Sequence, residues 1–382
     1  MTDEAEADSE KAAHDGNVGT AQAAQDGNGG LSQKLPMLPL LLFALTIAAV
    51  LVGGNVRIED AGEACPDWPQ CFGTWGFEVS AEEQGQFYAD NPEEIPSKGE
   101  GHRFTTEQIF LEWFHRLLTG LILGPLCILQ WVLTFRRRAE NPQLHLASSA
   151  VLIFVIIQGG LGAVTVRLDN APLTVTAHLL FSMILASSLL WTWLQWQKSD
   201  GGLPSWATFS SAVGKIARPR LLDASISVLI AMLLGALVAA TEQANTACGV
   251  ATTSAWPLCQ GAWIPNMAAQ TTSLQFMHRI AILFIFIWMI WHIVQLKKQS
   301  DNHPEIKRFT RWLHASFGLF GLNALLGGAY ILTWEDGSFI EHLSLMHLLL
   351  ASASLLTVVF ATMLAHLAIT SPSSDGISSG EE

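Results

Sequence analysis

The sequence predicts an all-α integral membrane protein with eight transmembrane helices, arranged as two pseudo-symmetric four-helix bundles. Half of the 382 residues are hydrophobic and only 14% are charged, which is more apolar than is usual for a soluble protein of this length. Eight apolar segments are long enough to supply the ~20 residues that cross a ~30 Å hydrocarbon core. A repeated set of loop and histidine motifs divides these segments into two groups of four.

Each apolar segment is expected to be helical, because lipid offers no hydrogen-bonding partner to a free backbone group. The first segment follows 34 polar residues and has no adjacent basic region, so a cleavable signal peptide is not expected. The polar tails, residues 1–34 and 371–382, have the composition of disordered segments. The eight expected spans are residues 35–56, 108–135, 143–166, 170–197, 224–241, 274–296, 312–334 and 342–370.

The net charge of −13 is concentrated outside the apolar segments. Residues 1–35 contain seven acidic side chains, and residues 56–104 contain eleven. Fourteen of the twenty Lys and Arg residues lie in the N-terminal tail and in the connections after the second, fourth and sixth spans. By the positive-inside rule this side is cytoplasmic, as are both termini, whereas the acidic loop 57–106 and the segment 242–273 face outward. No basic patch suited to nucleic acid is present in the sequence.

The two groups of spans share several sequence motifs. The frame Gly-x-x-Val, Ala-Cys, Trp-Pro-x-Cys-x-Gly-x-Trp occurs in residues 53–75 and again in residues 235–263. Glu-Trp-Phe-His-Arg at 112–116 corresponds to Gln-Phe-Met-His-Arg at 275–279, and two His-Leu-Leu motifs also correspond. A repeat of about 165 residues explains all of these matches. It predicts an N-terminal half at 35–197, a cytoplasmic linker at 198–223 and a C-terminal half at 224–370.

The repeat selects four of the twelve histidines, namely His115, His178, His278 and His347. Each lies in the first turns of a span that runs from outside to inside, so the four share one depth near the outer face. Two neutral imidazoles on different helices of one bundle suit the two axial positions of a heme iron. Histidines that only hydrogen-bond between helices are the alternative. A zinc site is disfavoured, because neither half gathers three or four ligands at one depth.

Four of the five cysteines lie in the outer loops, where an oxidising compartment favours disulfides. They permit three pairings, and the repeat favours Cys65 with Cys71 and Cys248 with Cys259. A redox-active dithiol is the alternative to a structural disulfide. Cys127 lies in an apolar span and is expected to serve packing.

Glu112 is a difference between the two copies of the repeat. It precedes His115 by three residues, so the two side chains project from nearly the same face of a helix. The matching residue of the second half is Gln275, which cannot ionise. The carboxylate either stabilises a helix N-terminus or acts beside a heme in one half only. The second interpretation makes the N-terminal half the reactive one.

The Glu-x-x-His-Arg motif at 112–116, the other three histidines, the repeat and the Trp-Pro-x-Cys loops together resemble the heme A synthase family over most of residues 36–370. The resemblance implies oxidation of the C8 methyl group of heme O to a formyl group by successive hydroxylations. It implies that His115 and His178 flank the substrate heme O and that Glu112 is the catalytic carboxylate. It also implies that His278 and His347 ligate a heme b cofactor. The cysteine pairs are similar to those of the bacterial branch, which implies a bacterial cell membrane.

The resemblance further implies heme O synthase, cytochrome oxidase assembly factors and an electron carrier as partners. Two other classes of protein fit the residues alone. One is a diheme electron-transfer protein of the quinol-oxidoreductase kind, and the other is a heme transporter or chaperone. Pure electron transfer does not require the difference between Glu112 and Gln275. The acidic stretch near 77–104 and the long N-terminal tail depart from the family pattern without touching a motif.

Overall fold

The computed structural model describes residues 35–335 and 338–370, so the two expected disordered tails lie outside the described residues. Within these ranges, eight helices are long and apolar enough to cross a membrane. The predicted all-helical, eight-span fold is therefore confirmed. The membrane helices are α1 (Leu38–Ile58), α3 (Thr106–Arg136), α4 (Pro142–Arg167), α5 (Pro172–Ser199), α6 (Ser211–Ala240), α7 (Gln270–Lys297), α8 (Ile306–Leu332) and α9 (Glu341–Thr370). The short α2 (Ala81–Asp90) lies in the loop between α1 and α3, and the helix ends and loops on this side are labelled outer, after the expected orientation.

The membrane helices pack in two closed groups of four. In the first group, α1 packs against α3, α3 against α4, α4 against α5, and α5 against α1. In the second group the same order runs through α6, α7, α8 and α9. Helices α3 and α5 are therefore diagonal neighbours, as are α7 and α9. The two groups meet where α5 contacts α6 and α9, and where α1 contacts α9.

Helix α6 begins at Ser211, well before the predicted start at residue 224. Three basic residues, Lys215, Arg218 and Arg220, lie inside it. The helix starts before the expected span because apolar content marks where a chain enters lipid, whereas a helix can continue into the water-facing region. Long basic side chains extend to water from such a position. Only residues 200–210 separate α5 from α6, so much of the expected linker is helical.

Helix α3 changes its geometry part-way through the span. It is α-helical over Thr106–Arg116, π-helical over Leu117–Leu123 and α-helical again over Gly124–Arg136. Pro125 explains the wider turn, because its nitrogen carries no hydrogen and cannot donate to a carbonyl one turn earlier. Helix α7, at the matching place in the second group, contains no proline and is α-helical throughout. Single π-helical turns are frequent at functional sites.

The first outer loop, residues 59–105, folds into a compact unit that we call the first cap. Its helix α2 begins with a capping box, in which Ser80 Oγ accepts from the Glu83 N–H at 3.2 Å and Glu83 Oε2 accepts from the Ser80 N–H at 2.7 Å. The hydrogen bonds from Ser80 lower the pKa of Glu83. Tyr88 packs with Phe72 and Phe104, and burial raises the pKa of Tyr88 to about 12. The acidic stretch near 77–104 is thus a folded part of the cap.

Candidate functional site

A cavity of about 1840 Å³ lies toward the outer ends of the helices and is lined by both groups. All four histidines that the repeat selected line it. Pockets for one drug-sized ligand measure roughly 300–1,000 Å³, so this cavity has room for more than one large ligand. Most of its wall is apolar, which suits a hydrophobic macrocycle.

The histidines of α3 and α7 each rest against a glycine of the preceding membrane helix. A Cβ atom added to Gly53 of α1 would lie 3.0 Å from Cε1 of His115. A Cβ atom added to Gly235 of α6 would lie 3.0 Å from Cε1 of His278. Any larger residue would push the imidazole away, so the glycines fix the place of each ring.

The histidines of α5 and α9 are seated in the same way. A Cβ atom added to Gly162 of α4 would lie 3.3 Å from Cε1 of His178, and one added to Gly327 of α8 would lie 2.9 Å from Cε1 of His347. Nδ1 of His347 lies 3.1 Å from the backbone oxygen of Asn323. A hydrogen bond from Nδ1 to a carbonyl leaves Nε2 available as a metal ligand.

Each half therefore brings two imidazoles into the cavity from diagonally opposite helices. This arrangement fits two axial ligands on the opposite faces of one heme. Nδ1 of His115, His178 and His278 is buried without a hydrogen-bond partner among the described residues. His178 differs in its surroundings, because its Nε2 lies 3.3 Å from Nε2 of Gln158, which also donates to Ser182 Oγ at 2.6 Å.

Glu112 is buried beneath the first cap, and both of its carboxylate oxygens are engaged. Oε2 accepts from the Cys65 N–H at 2.9 Å, and Oε1 pairs with Arg116 Nη2 at 2.6 Å. Arg116 also donates to the backbone oxygens of Cys65 at 2.5 Å, of Gln70 at 2.9 Å and of Asp67. Glu112, about one turn outward from His115, and Arg116, the residue after His115, together fix the first cap onto α3.

The second outer loop, residues 241–269, is called the second cap. Gln275 binds it with a geometry similar to that of Glu112 in the first cap, but without a charge. Its Oε1 accepts from the Cys248 N–H at 2.6 Å, and its Nε2 donates to the Asn245 oxygen at 2.8 Å. Arg279 donates to the backbone oxygens of Ala255 and Leu258 at 2.6 and 2.7 Å. Since an amide anchors the second cap, anchoring alone does not require the carboxylate of the first.

The two cysteine pairs that the repeat favoured are disulfide-bonded, Cys65 with Cys71 and Cys248 with Cys259. All four residues are buried. The first cysteine of each pair is the residue whose N–H is held by Glu112 or by Gln275, so each disulfide braces a cap at its anchor. Cys127 is free and buried in α3, consistent with packing.

The two caps differ in the position of their Trp-Pro tryptophan. Trp256 packs so closely on α8 that a Cβ atom added to Gly328 would lie 2.5 Å from its ring. When Gly162 is aligned with Gly327, Gly328 of α8 corresponds to Ala163 of α4. The first half therefore has a methyl group at the position where the second half has the glycine that contacts Trp256. Trp68, the counterpart of Trp256, is 67% exposed. The second half is thus covered at a place where the first half is open.

Two arginines that the sequence analysis passed over line the outer part of the cavity, Arg57 at the end of α1 and Arg167 at the end of α4. The repeat contained a signal for both. Aligning Gly53 with Gly235 places Arg57 opposite Ala239, and aligning Gly162 with Gly327 places Arg167 opposite Leu332. Both cations therefore occur in the first half only.

Residues 37–370 match the COX15-CtaA family model, which is described as a cytochrome oxidase assembly protein. The chain belongs to this family. The match covers all eight membrane helices and both caps.

Curated relatives in this family carry the name heme A synthase. The relative from Shewanella oneidensis is 28% identical over 235 residues, which is 62% of this chain and 64% of the relative, just under two thirds of its length. The relative from Shouchella clausii is 28% identical over 65% of this chain and 73% of its own. The relative from Halalkalibacterium halodurans is 24% identical over 83% of this chain and 92% of its own.

Proposed function

We propose that this member of the cytochrome oxidase assembly family is a heme A synthase, an oxidoreductase that converts the C8 methyl group of heme O into a formyl group. The observation that carries the proposal is the pair of similar histidine sites, of which only one has a carboxyl group, Glu112, at its cap anchor. The named relatives support the same activity.

In this proposal the first half binds the substrate and the second half binds the cofactor. His115 and His178 flank the substrate heme O in the first half, and His278 and His347 ligate a heme b cofactor in the second. The tryptophan positions support this division. Trp256 covers the second site, as a permanently bound cofactor requires, whereas the first site is open near Trp68, as exchange of substrate and product requires.

Heme b, when bound, supplies one-electron redox chemistry. The glycine seats orient the imidazoles, and the apolar wall excludes water from the reacting group. In each hydroxylation one water molecule supplies the oxygen: C–H and H2O become C–OH with release of two protons, and two electrons pass by way of heme b to the proposed electron carrier. The second hydroxylation gives a geminal diol that loses water to form the aldehyde. Glu112 is suited to accept a proton or to stabilise positive charge on the macrocycle, and a low dielectric strengthens either effect. Arg116 holds its carboxylate in one orientation.

Heme analysis of membranes tests the proposal. Cells that make this protein together with a heme O synthase should yield heme A on extraction and chromatography, whereas cells with the synthase alone should yield heme O. Unchanged heme O in membranes that contain the folded protein would contradict the assignment.

A diheme electron-transfer protein is the second candidate, because the glycine-seated histidine pair occurs in both halves. In that case the purified protein would carry two permanent hemes of one kind, and added heme O would stay unmodified.

For either function we propose a bacterial cell membrane with both termini cytoplasmic. Heme O synthase, other oxidase assembly factors and an electron carrier are the proposed partners.

A further inference from the structure

Arg57 lies one helical turn outward from the glycine that seats His115. Residues four apart share a helix face, so Arg57 and Gly53 face the same side of α1. At 1.5 Å per residue, the backbone of Arg57 is about 6 Å nearer the outer face than that of Gly53. A planar macrocycle held at the level of His115 would therefore have its outer edge beside Arg57.

Most of the hydrogen-bonding capacity of Arg57 is unused in the described part of the chain. Its Nη2 donates at 3.1 Å to the backbone oxygen of Ala239, at the end of α6 in the second group, and its Nε is buried without a partner among the described residues. A guanidinium group has five N–H donors. Within residues 35–335 and 338–370, neither Arg57 nor Arg167 forms an ion pair with a carboxylate. Both therefore present positive charge to the cavity that they line.

Two carboxyl groups at the outer ends of the helices are turned toward each other instead. Burial and the nearby carboxyl group of Glu341 raise the pKa of Glu59. Neither carboxyl group forms an ion pair with Arg57 in the described part of the chain. The positive charge of Arg57 is thus available to an anionic ligand.

We propose that Arg57, assisted by Arg167, binds the propionate carboxylates of the macrocycle in the first half. This inference rests on the proposed function, because it places the substrate heme there. Guanidinium groups bind carboxylates by paired, charge-assisted hydrogen bonds. The opposite orientation would bury the propionates near the centre of the membrane, where charge is costly.

Binding of the propionates would also position the reacting carbon. The C8 methyl of heme O is on the same pyrrole ring as one propionate, so an anchored propionate fixes this methyl near the outer edge of the macrocycle. Glu112 lies on the outward side of His115 and therefore at that end of the site. At the corresponding positions the second half has Ala239 and Leu332, which carry no charge.

The test compares heme O with its propionate dimethyl ester, which has the same ring and no carboxylate. Each is titrated into the purified holoprotein, and the dissociation constant is measured from the change in the Soret absorption band. Arg57→Gln removes the charge, and Arg57→Lys keeps it without the paired geometry. The matched control is Arg138→Gln, the same change at the opposite end of the helices.

We expect wild-type protein and Arg138→Gln to bind heme O roughly 10-fold more tightly than the diester, as a charge-assisted hydrogen bond allows. Arg57→Gln should lose this preference by binding heme O more weakly and the diester unchanged, with Arg57→Lys intermediate. Equal weakening for both ligands, or an undiminished preference, would overturn the inference. If Arg57→Gln does not fold, the inference is overturned when the wild-type protein binds heme O and the diester equally tightly. A preference that depends on Arg57 without any heme A formation would reject the proposed reaction and leave the anchor standing.

Discussion

Replacing Glu112 with glutamine is the most informative single change in this protein. It removes one carboxylate and leaves the length and shape of the side chain nearly unchanged. It also makes the first half match the second, where Gln275 occupies the corresponding position. The second half thus shows what the first should look like after the substitution.

The structural cost of Glu112→Gln should be small. Gln275 accepts from the Cys248 N–H at 2.6 Å, so an amide at position 112 can accept from the Cys65 N–H in the same way. Arg116 loses one partner and keeps three backbone oxygens. A buried charge left without any partner costs about 3–5 kcal/mol, whereas one lost hydrogen bond among several costs about 1–2 kcal/mol. The cap should therefore remain folded.

The effect on activity should be much larger. Removing a general base, or a charge that stabilises the transition state, typically lowers a rate by about 10²- to 10⁴-fold. We expect Glu112→Gln to bind both hemes, to form heme A at less than about 1% of the wild-type rate and to accumulate a hydroxylated intermediate.

Heme content and product formation are measured on the same preparations by extraction and chromatography. Gln275→Glu is the matched control and should change product formation far less. Near-wild-type heme A production by Glu112→Gln would refute a catalytic carboxylate and leave Glu112 with the anchoring role that Gln275 fills.

Three further predictions concern the caps. Gly328→Ala should displace Trp256 and speed the loss of heme b from the second half. The rate of this loss is measured by heme transfer to apomyoglobin, and an unchanged rate would show that the tryptophan does not retain the cofactor. Cys65→Ser should lower stability by about 2–3 kcal/mol in thermal unfolding while heme binding persists, and loss of activity with heme and stability intact would indicate a redox role. Burial lowers the pKa of His102 below its ordinary value near 6.5, so unfolding takes up a proton and the first cap should lose stability as pH falls below that value. Hydrogen exchange in α2 should show this loss in the wild type, and His102→Gln should reduce it.

The sequence predicted the features that depend on hydropathy and on internal repetition. Eight apolar segments were sufficient to place the helices, and the repeat selected four histidines that line one cavity. The features that were not predicted share one physical cause, namely that hydropathy reports contact with lipid and not helix geometry. It missed the charged start of α6, the short α2 in the acidic loop and the π-helical turn that accompanies Pro125.

The finer parts of the candidate site required three-dimensional packing. Sequence spacing placed Glu112 beside His115 but did not show that its oxygens hold the Cys65 N–H and Arg116. The difference between Trp68 and Trp256 accompanies an exchange of Gly328 for Ala163 at the aligned position on a neighbouring helix, where neither loop motif gives a signal. Such contacts join residues that are distant in the chain.

The central claim is that the first half binds the substrate heme O and the second half binds the heme b cofactor. Heme analysis of the four histidine variants tests this claim most directly. Heme b and heme A are quantified per protein after expression with a heme O synthase. His278→Ala and His347→Ala should lose heme b and its low-spin spectrum, and with it the formation of heme A. His115→Ala and His178→Ala should keep heme b and form no heme A. Equal loss of heme b in all four variants, or heme A formation without His115 and His178, would contradict the account.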